Sequence, residues 1–361
     1  MSQPIPVTVL TGYLGAGKTT LLNRILTESH GKKYAVIINE FGEVGIDNDI
    51  VVGTDEEIFE MNNGCICCTV RGDLIRTIGG LMKRAGALDG IIVETTGLAD
   101  PAPVAQTFFT DDEVKAKTTL DAVVTVVDAK HFPLRLEDSR EAEDQVAFAD
   151  VILLNKTDLV PPAELAAVER RIREINPYAR IHRTQKSAVE LDKILDKGAF
   201  DLQRILALDP HFLHDHGHDH HHHGHDHDHD HDHDPATCTD PTHDHSHDHD
   251  HHHRAAPNPK HAEDVFSVAA VVDGPIDPEK FRTWISGVLQ TQGANILRSK
   301  GVLAVDGAEQ RFVFQAVHMI ADSTWGQKWR EGEKRGSKLV FIGRKLDAEA
   351  LKAGFEGCKA A

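Results

Sequence analysis

The stretch Gly12-Tyr13-Leu14-Gly15-Ala16-Gly17-Lys18-Thr19 decides the fold of this chain. It fits the pattern G-x-x-x-x-G-K-[ST], follows the apolar run Val7–Leu10 and opens the helical pattern Lys18–Ser29, which is the context of a P-loop. Its glycines let backbone N–H groups surround phosphates at a helix N-terminus. We therefore predict that Lys18 contacts the β- and γ-phosphates and that Thr19 ligates Mg²⁺. The predicted nucleotide-binding residues of this loop are Gly12, Gly15, Ala16, Gly17, Lys18, Thr19 and Thr20.

Short apolar runs alternate with helical patterns through residues 1–208. The runs are nearly continuous Val, Ile and Leu, which is typical of strands in a parallel sheet covered on both faces. They are Val7–Leu10, Ala35–Ile38, Ile91–Val93, Ala122–Val127 and Val151–Leu154. This alternation predicts an α/β fold of the P-loop NTPase type, with a doubly wound and mostly parallel sheet, over residues 1–208.

The composition changes abruptly after residue 208. Between His211 and His253, 20 of 43 residues are His, and many alternate with Asp. So few apolar residues predict a disordered linker over residues 209–263, whose imidazoles suit weak capture of transition metals; a solvated spacer is the alternative. Structured patterns resume at Asp264 and predict a small α+β domain over residues 264–361. Its predicted strands are Val265–Val272, Arg311–His318 and Lys338–Ile342.

The bulk composition excludes several classes of protein. The 361 residues carry a net charge of −18, and the 12 Asp of residues 209–253 account for most of it. The remainder is mildly acidic, so we expect no nucleic-acid partner, which would need a basic face. No apolar run approaches the ~18 residues of a membrane span and no signal-peptide pattern is seen. We therefore expect no membrane association and a cytoplasmic protein.

The motif Asn155-Lys156-Thr157-Asp158 follows the apolar run Val151–Leu154 and predicts guanine recognition. Asp158 can accept hydrogen bonds from the guanine N1–H and from the exocyclic amine. Adenine lacks that pair of donors and would leave the carboxylate unpaired. An Asp-rich turn before the next helix is the alternative. We predict that Asn155, Lys156 and Asp158 bind the base, and that the nucleotide is GTP.

The motif Glu94-Thr95-Thr96-Gly97 ends another predicted strand. P-loop GTPases usually have Asp-x-x-Gly at this position, where the carboxylate holds Mg²⁺ and the glycine N–H senses the γ-phosphate. A glutamate can do the same with a longer side chain, although an ordinary strand-end turn is the alternative. We predict Glu94 as a Mg²⁺ ligand beside Thr19, and Lys18, Glu94 and Gly97 as the catalytic residues.

Three cysteines, Cys65, Cys67 and Cys68, fall within four positions. Thiolates are soft ligands that favour Zn²⁺ or Cu⁺ over Mg²⁺, and in a reducing compartment such a cluster indicates metal binding before disulfides. In an extended chain Cys65 and Cys67 would point the same way and Cys68 the other. An inert buried cluster is the alternative. Glu40, after the second predicted strand, is a further candidate ligand for Mg²⁺ or for the second metal; a solvated acidic loop is equally compatible.

Together these motifs resemble the CobW-type GTPases. The resemblance is carried by G-Y-L-G-A-G-K-T-T, N-E-F-G-E-V-G-I-D, G-C-I-C-C, E-T-T-G-L-A-D-P and N-K-T-D, with Arg298–Gly301 and Gln315–His318 in the smaller domain. The P-loop domain of that family is similar to the nickel-delivery GTPases of urease and hydrogenase maturation. The resemblance implies a GTPase whose Mg²⁺·GTP is coupled to a metal on Cys65, Cys67 and Cys68. Hydrolysis would then promote metal transfer to a client metalloprotein.

The resemblance leaves the metal and the assembly open. Zinc suits a thiolate-rich site, cobalt for corrin-ring insertion is the main family alternative, and nickel or iron is a weaker one. We expect a monomer or a nucleotide-dependent homodimer. A second interpretation makes the protein a metal reservoir whose His tract holds the metal, with a vestigial or oligomerising nucleotide domain. The complete P-loop and N-K-x-D motifs argue against that interpretation.

Overall fold

The computed structural model describes residues 4–28, 31–39, 58–61, 68–84, 88–196, 265–330 and 332–360. These residues form two sheets, each with helices packed against it. Of the predicted site residues, Glu40, Cys65, Cys67 and the His-rich linker lie outside the described residues, and only the backbone of Cys68 is described. None of the described helices is long and apolar enough to cross a membrane.

The first sheet carries the P-loop and, in the described chain, has seven strands. They are β1 Ile5–Thr11, β2 Tyr34–Asn39, β3 Ile58–Met61, β4 Gly90–Glu94, β5 Thr118–Asp128, β6 Val151–Asn155 and β7 Arg180–Arg183. Their order is β3-β2-β4-β1-β5-β6-β7, so β1 lies in the centre. Every neighbouring pair is parallel, which confirms the predicted α/β class.

Helices cover both faces of this sheet. They are α1 Lys18–Thr27, α2 Cys68–Arg84, α3 Ala102–Thr110, α4 Asp112–Lys117, α5 Phe132–Asp138, α6 Arg140–Phe148 and α7 Pro162–Ile175. One apolar cluster joins α1, through Leu21 and Ile25, to one face of the strands. The other joins α2, α3, α6 and α7 to the opposite face. Since strand side chains alternate between the two faces, both faces must be apolar, as the unbroken Val/Ile/Leu runs predict.

The start of α2 bears on the geometry of the cysteines. The backbone is helical from Cys68 onward, whereas an extended chain was considered through all three cysteines. The first helical residue has a backbone geometry different from that of a strand. The alternation of side-chain directions therefore cannot be carried through to Cys68.

The second sheet is antiparallel and belongs to the C-terminal region. Its strands are β8 Val265–Asp273, β9 Ile296–Ala304, β10 Gln310–Val317, β11 Ile320–Lys328 and β12 Gly336–Arg344, in the order β11-β10-β9-β12-β8. Two helices, α8 Pro278–Gln292 and α9 Ala348–Glu356, bury Phe281 and Phe355 against one face. The sequence patterns predicted β8, β10 and β12 but missed β9 and β11.

The other face of the second sheet packs on the helices of the first. Val265, Leu297 and Val317 share one apolar cluster with Val146 and Phe148 of α6. Polar groups cross the same contact from α6, from Asp150 just beyond it and from α3. Gln106 Nε2, for example, donates to the backbone oxygen of Val317 over 3.4 Å. The two sheets are therefore joined by a packed contact made by α3, α6 and α7.

Candidate functional site

The P-loop has a shape that only glycine allows at three positions. Gly12, Gly15 and Gly17 have φ values of 140°, 74° and 115°, in the left-handed region. A Cβ on Gly12 would overlap the carbonyl of Val126, and one on Gly17 would lie 2.5 Å from Asn155 Nδ2. The loop therefore lies against the ends of β5 and β6, and a side chain at Gly12 or Gly17 would push it away.

Lys18 is the first residue of α1, and its side chain lies across the loop. Its Nζ donates to the carbonyl of Gly12 over 2.8 Å and to that of Tyr13 over 3.4 Å. Only 8% of Lys18 is exposed. The loop thus holds the ammonium group at its own centre, where a phosphate would meet a positive charge and the N-terminus of α1 together. Thr19 and Thr20 are exposed on the first turn of α1.

Glu94 lies beside the start of the P-loop. It is the last residue of β4, in register with Leu10 of β1, and is 8% exposed. The next residue, Thr95, donates its backbone N–H to the carbonyl of Leu10 over 2.9 Å. A carboxylate at this edge and the exposed hydroxyl of Thr19 are the hard oxygen ligands that Mg²⁺ prefers. The donor set therefore fits the predicted ion.

Gly97 touches the P-loop directly. A Cβ at this position would lie 2.6 Å from Leu14 Cδ2 and 2.7 Å from the backbone nitrogen of Leu14. The absence of a side chain lets the strand-end turn lie against the loop that faces the phosphates. The predicted catalytic residues Lys18, Glu94 and Gly97 are thus grouped at one edge of the sheet, around the loop.

Gln145 holds this strand-end turn and was not singled out in the sequence. Its Nε2 donates to the carbonyls of Gly97 and Ala99 over 3.1 and 3.2 Å. The residue is 1% exposed. A glutamine inside an ordinary helical pattern carries no local signal of such a role, because its partners are 46 and 48 residues away.

Asn155 connects the P-loop to the loop after β7. Its Nδ2 donates to the carbonyl of Ala16 over 2.9 Å and to Ser187 Oγ over 3.1 Å. Its Oδ1 accepts from the Ser187 backbone N–H over 2.9 Å and from Thr184 Oγ1 over 3.2 Å. Ser187 Oγ in turn donates to the carbonyl of Gly17 over 2.9 Å. Asn155 therefore acts on the site by fixing its loops, and Ser187 is a second contributor that the sequence reading missed.

Asp158 and Lys156 lie at the end of β6 in different surroundings. Asp158 is exposed in the 3₁₀ turn Thr157–Leu159, where its carboxylate can meet a base. Lys156 has φ 60° and donates from Nζ to Asp128 Oδ2 over 2.7 Å, and His131 Nδ1 lies 2.9 Å from the same oxygen. Burial would raise the pKa of Asp128, but the hydrogen bonds from Lys156 and His131 outweigh burial and lower it. Asp128 is thus an ionised anchor for Lys156.

A cavity of about 270 Å³ lies between the P-loop, the end of β5 and α6. Tyr13, Leu14 and Gly15 form one wall, and Asp128, Lys156 and Gln145 line other parts of it. Arg135 lies over the Tyr13 ring at 5.3 Å and is paired with Asp138 over 2.7 Å. The P-loop therefore borders open space next to α6, and the loop and the helix are not packed solidly together.

The strand order bears on the residues outside the described part. Asn39 ends β2 and pairs in register with Met61, which ends β3, and both strands run parallel to β4 and β1. β2 and β3 therefore end at the edge of the sheet that carries Glu94 and the P-loop, and Glu40 and the cysteines are predicted site residues that follow these strand ends in the sequence. Within the described residues, no group of three or more His, Cys, Asp or Glu side chains could hold a metal ion.

Comparison with known proteins gives consistent matches over both sheets. Residues 6–183 match the CobW/HypB/UreG nucleotide-binding domain, and residues 265–359 match the cobalamin synthesis protein cobW C-terminal domain. The zinc chaperone YjiA of Escherichia coli is 32% identical over 364 residues, which cover 99% of each chain. The zinc chaperone CobW of a Sinorhizobium species is 34% identical over 97% of this chain and 96% of its own.

A eukaryotic relative and a solved structure extend the comparison. The zinc-regulated GTPase metalloprotein activator 1 of Schizosaccharomyces pombe is 41% identical over 206 residues, which cover 55% of this chain and 50% of its own. The crystal structure of the Zn(II)-bound YjiA GTPase from E. coli superposes with a TM-score of 0.69 at 29% identity. That match covers 99% of this chain and all of the other.

Proposed function

Because the chain belongs to the CobW/HypB/UreG family, we propose that it uses GTP hydrolysis to load a transition metal, zinc before others, onto a client metalloprotein. As a member of that family the chain is a GTPase, and the proposal concerns what the hydrolysis serves. One observation carries it. The adjacent strands β3, β2, β4 and β1 are parallel and end at the edge of the sheet where Glu94 and the P-loop lie, and in the sequence Glu40 follows the end of β2 and the cysteines follow the end of β3.

The relatives support zinc as the metal. Two of them are called zinc chaperones and align with this chain over nearly its whole length. The superposed YjiA structure is described as Zn(II)-bound. In this chain, the soft thiolates of Cys65, Cys67 and Cys68 are the ligands we assign to the metal, and they suit Zn²⁺. Cobalt and nickel are the alternatives.

We assign the steps of GTP binding and hydrolysis to different described residues. Lys18 and the loop N–H groups bind the phosphates and are held in place by Gly12 and Asn155. Asp158 selects guanine, and Thr19 and Glu94 would hold Mg²⁺, which supplies neutralisation of phosphate charge when it is bound. Gly97 lies against Leu14, and we assign to its N–H the sensing of a γ-phosphate. Catalysis of this kind depends on positioning and charge stabilisation.

If nucleotide binding and metal binding are coupled, each must affect the other. If GTP tightens metal binding, the metal must tighten GTP binding by the same factor. The proposal is tested by competition titrations of Zn²⁺, Co²⁺ and Ni²⁺ against the full-length protein, with Mg²⁺ and either GDP or a non-hydrolysable GTP analogue. We expect Zn²⁺ to bind at least about fivefold more tightly with the analogue. Equal affinities in the two nucleotide states would refute the coupling.

The chain provides a matched cysteine control for these titrations. Replacing Cys65, Cys67 and Cys68 with Ala should remove the tight site. Cys358→Ala should not, because Cys358 is 1% exposed in the core of the second sheet and its Sγ donates to the carbonyl of Gly354 over 3.3 Å. Burial raises the pKa of this thiol to about 11, which keeps it protonated and unsuitable as a metal ligand.

The His-rich segment gives a second candidate function, that of a metal reservoir. Its 20 His within residues 211–253 are the observation that favours it. Deleting residues 211–253 separates the two functions. If one tight site remains and requires the three cysteines, the segment is an accessory for metal capture. If tight binding disappears with the segment, the protein is a reservoir.

The proposal also covers the recipient of the metal, the cellular compartment and the oligomeric state. We assign metal delivery to a client metalloprotein in the cytoplasm, where thiols stay reduced, by a monomer or a nucleotide-dependent homodimer. Sedimentation of the full chain with GDP and with the GTP analogue distinguishes the two assemblies. A change in mass with nucleotide supports the homodimer, and an unchanged monomer mass excludes it.

A further inference from the structure

Helix α6 contacts both halves of the molecule within a few residues. Gln145 reaches the Gly97 turn beside the P-loop, while Glu143 and Asp144 reach the second sheet. Phe148, at the end of the helix, accepts a hydrogen bond from Arg298 through its carbonyl and packs its ring 6.1 Å from that of His318. Helix α3 follows the Gly97 turn in the chain and also packs on the second sheet, but the side chain that bonds to the carbonyls of the turn comes from α6.

At the end of α6 nearer the P-loop, the Gln145 side chain bonds to the Gly97 turn through its Nε2 group. Gln145 Nε2 donates to the carbonyls of Gly97 and Ala99, and the Gln145 backbone carbonyl accepts from Thr125 Oγ1 over 2.9 Å. The side chain also lines the cavity that borders Tyr13 and Leu14. Because Gln145 is buried, a turn that moved away would leave its amide without a partner, which is costly inside a protein.

The end near the second sheet consists of one buried and two half-buried charged side chains. Glu143 Oε1 accepts from the Val265 backbone N–H over 3.0 Å, and its Oε2 accepts from Arg344 Nη2 over 3.0 Å. Arg344 Nη1 lies 2.6 Å from Asp144 Oδ1. These bonds attach α6 to the first residue of β8 and the last residue of β12, which are paired in register. A shift of α6 must therefore move both strands or break these bonds.

We propose that α6 transmits the nucleotide state to the second sheet and that Gln145 is the positioning residue at its nucleotide end. When the Gly97 N–H turns toward a γ-phosphate, the carbonyls of Gly97 and Ala99 turn with it. Gln145 follows them because both of its amide donors are engaged there. Glu143 and Asp144 then shift the edge of the second sheet formed by Val265 and Arg344. The inference rests on the GTP-binding part of the proposed function and requires no metal.

The test is amide hydrogen exchange of the full-length protein with Mg²⁺·GDP and with a non-hydrolysable GTP analogue. In the unchanged protein we expect exchange at the start of β8 and the end of β12 to differ between the two nucleotides by about fivefold or more. Gln145→Met keeps the length of the side chain but removes the donors, and should abolish that difference while GDP binding persists. Identical exchange in both nucleotides, or an undiminished difference in Gln145→Met, would overturn the proposal.

Asn176, the residue that follows α7, provides a matched control because it bonds to carbonyls at the C-terminal end of α6. It is 1% exposed, and its Nδ2 donates to the carbonyls of Val146, Ala147 and Ala149 over 2.9, 3.2 and 2.9 Å. Asn176→Leu thus removes an equally buried amide from α6 without touching Gly97. We expect it to lower stability and to keep the nucleotide-dependent exchange. Loss of that exchange in Asn176→Leu would assign the effect to the integrity of α6 and overturn the role of Gln145.

A second variant tests the proposal from the other end of α6, even if Gln145→Met folds poorly. Arg344→Gln loosens α6 from the second sheet, far from the nucleotide. We expect it to change the ratio of GTP-analogue to GDP affinity by about fivefold, measured with fluorescent nucleotides. An unchanged ratio would overturn the proposal. Failure of the zinc titrations would leave these outcomes intact, so the two proposals fail separately.

Discussion

The nucleotide pocket and the contact between the two sheets both use charged side chains, but they treat them in opposite ways. In the pocket, Lys18 bonds to backbone carbonyls of its own loop, and Asp158 and Thr19 face solvent. At the contact between the sheets, Asp150 lies between Arg298 and Lys300, and its side chain is only 5% exposed. The pocket leaves charge available to a ligand, whereas the contact neutralises charge within the protein.

The charged side chains of the two regions should therefore control different properties of the protein. Burial alone would raise the pKa of Asp150, but Arg298 and Lys300 outweigh burial and hold it below its ordinary value. The same desolvation, with Arg298 nearby, lowers the pKa of Lys300 to about 8. Charges at the contact should therefore govern stability, and charges in the pocket should govern ligand affinity. The following substitutions test this division, beginning with the one that should cost the most free energy.

The largest effect is expected from Asp150→Ala. The substitution leaves Arg298 and Lys300 side by side without their counter-charge. It also removes Asp150 Oδ2, which accepts a hydrogen bond from the backbone N–H of Val123 over 2.8 Å. Removing one partner of a buried ion pair costs about 3–5 kcal/mol of unfolding free energy. Urea denaturation would measure the loss, while nucleotide affinity of the folded protein should stay near that of the unchanged chain.

Two further variants serve as comparisons for Asp150→Ala. Lys300→Met leaves the Asp150–Arg298 pair in place and should cost much less than Asp150→Ala. Asp322→Ala removes an exposed pair with Lys115 at 2.6 Å and should cost about 0–1 kcal/mol. Equal losses in all three variants would mean that burial does not distinguish the contact from the surface.

Lys18→Ala should reverse the pattern, with little change in stability and a large loss of affinity. Losing one partner of a desolvated charge pair costs about 3–4 kcal/mol, or about 100- to 1000-fold in the affinity for GTP. Titration with a fluorescent GTP analogue measures the effect, and Lys32→Ala, in an exposed pair with Asp196, is the control. A normal affinity in Lys18→Ala would remove the P-loop lysine from the binding site.

Asp158→Asn should change the base that is preferred. Two hydrogen bonds from guanine to a carboxylate would be weakened, so GTP affinity should fall about 10- to 100-fold. Xanthosine triphosphate carries an oxygen where guanine has its amine, so the new amide can donate to it and its affinity should rise. Asp192→Asn, an exposed position in the other 3₁₀ turn, should change neither. A variant that still prefers GTP would contradict the assigned role.

The smallest effect concerns Asp144 and pH. Burial, opposed by Arg344, raises the pKa of Asp144 to about 6 from an ordinary value near 3.8. The folded protein therefore keeps a proton that the unfolded chain releases between about pH 4 and 6, and stability from this group falls as pH rises through that range. Asp144→Asn should gain about 1–2 kcal/mol over the unchanged protein from pH 4 to 6 and keep that gain above pH 6.

Thermal unfolding across this pH range would measure the difference between the two proteins. Asp306→Asn, on the exposed turn after β9, is the control, since its carboxylate meets water in both states. A difference between Asp144→Asn and the unchanged protein that does not vary with pH would show that Asp144 keeps an ordinary pKa. Asp144→Asn also tests whether the contact between α6 and the second sheet tolerates the loss of one negative charge when Glu143 remains beside Arg344.

The C-terminal sheet shows most clearly what sequence patterns miss. Strand β9 contains Arg298, Ser299 and Lys300 in a row, which interrupts any alternation of apolar and polar residues. Arg298 is buried and Lys300 half-buried opposite Asp150 of the other half, which supplies their counter-charge. Strand β11 is an edge strand and is mostly exposed, so it has little apolar pattern to find. Both strands needed long-range partners that a local pattern does not contain.

The sequence by itself determined the parallel sheet, the P-loop and the strand-end positions of Glu94, Gly97 and the N-K-x-D motif. These features depend on local periodicity and on backbone conformations that glycine alone adopts freely, and both are written in consecutive residues. Only the tertiary structure decided that Asn155 and Ser187 fix the P-loop, that Gln145 holds the Gly97 turn, and that α6 joins the two sheets. Those roles arise between residues tens of positions apart, where burial makes each hydrogen bond matter and no sequence period records the pairing.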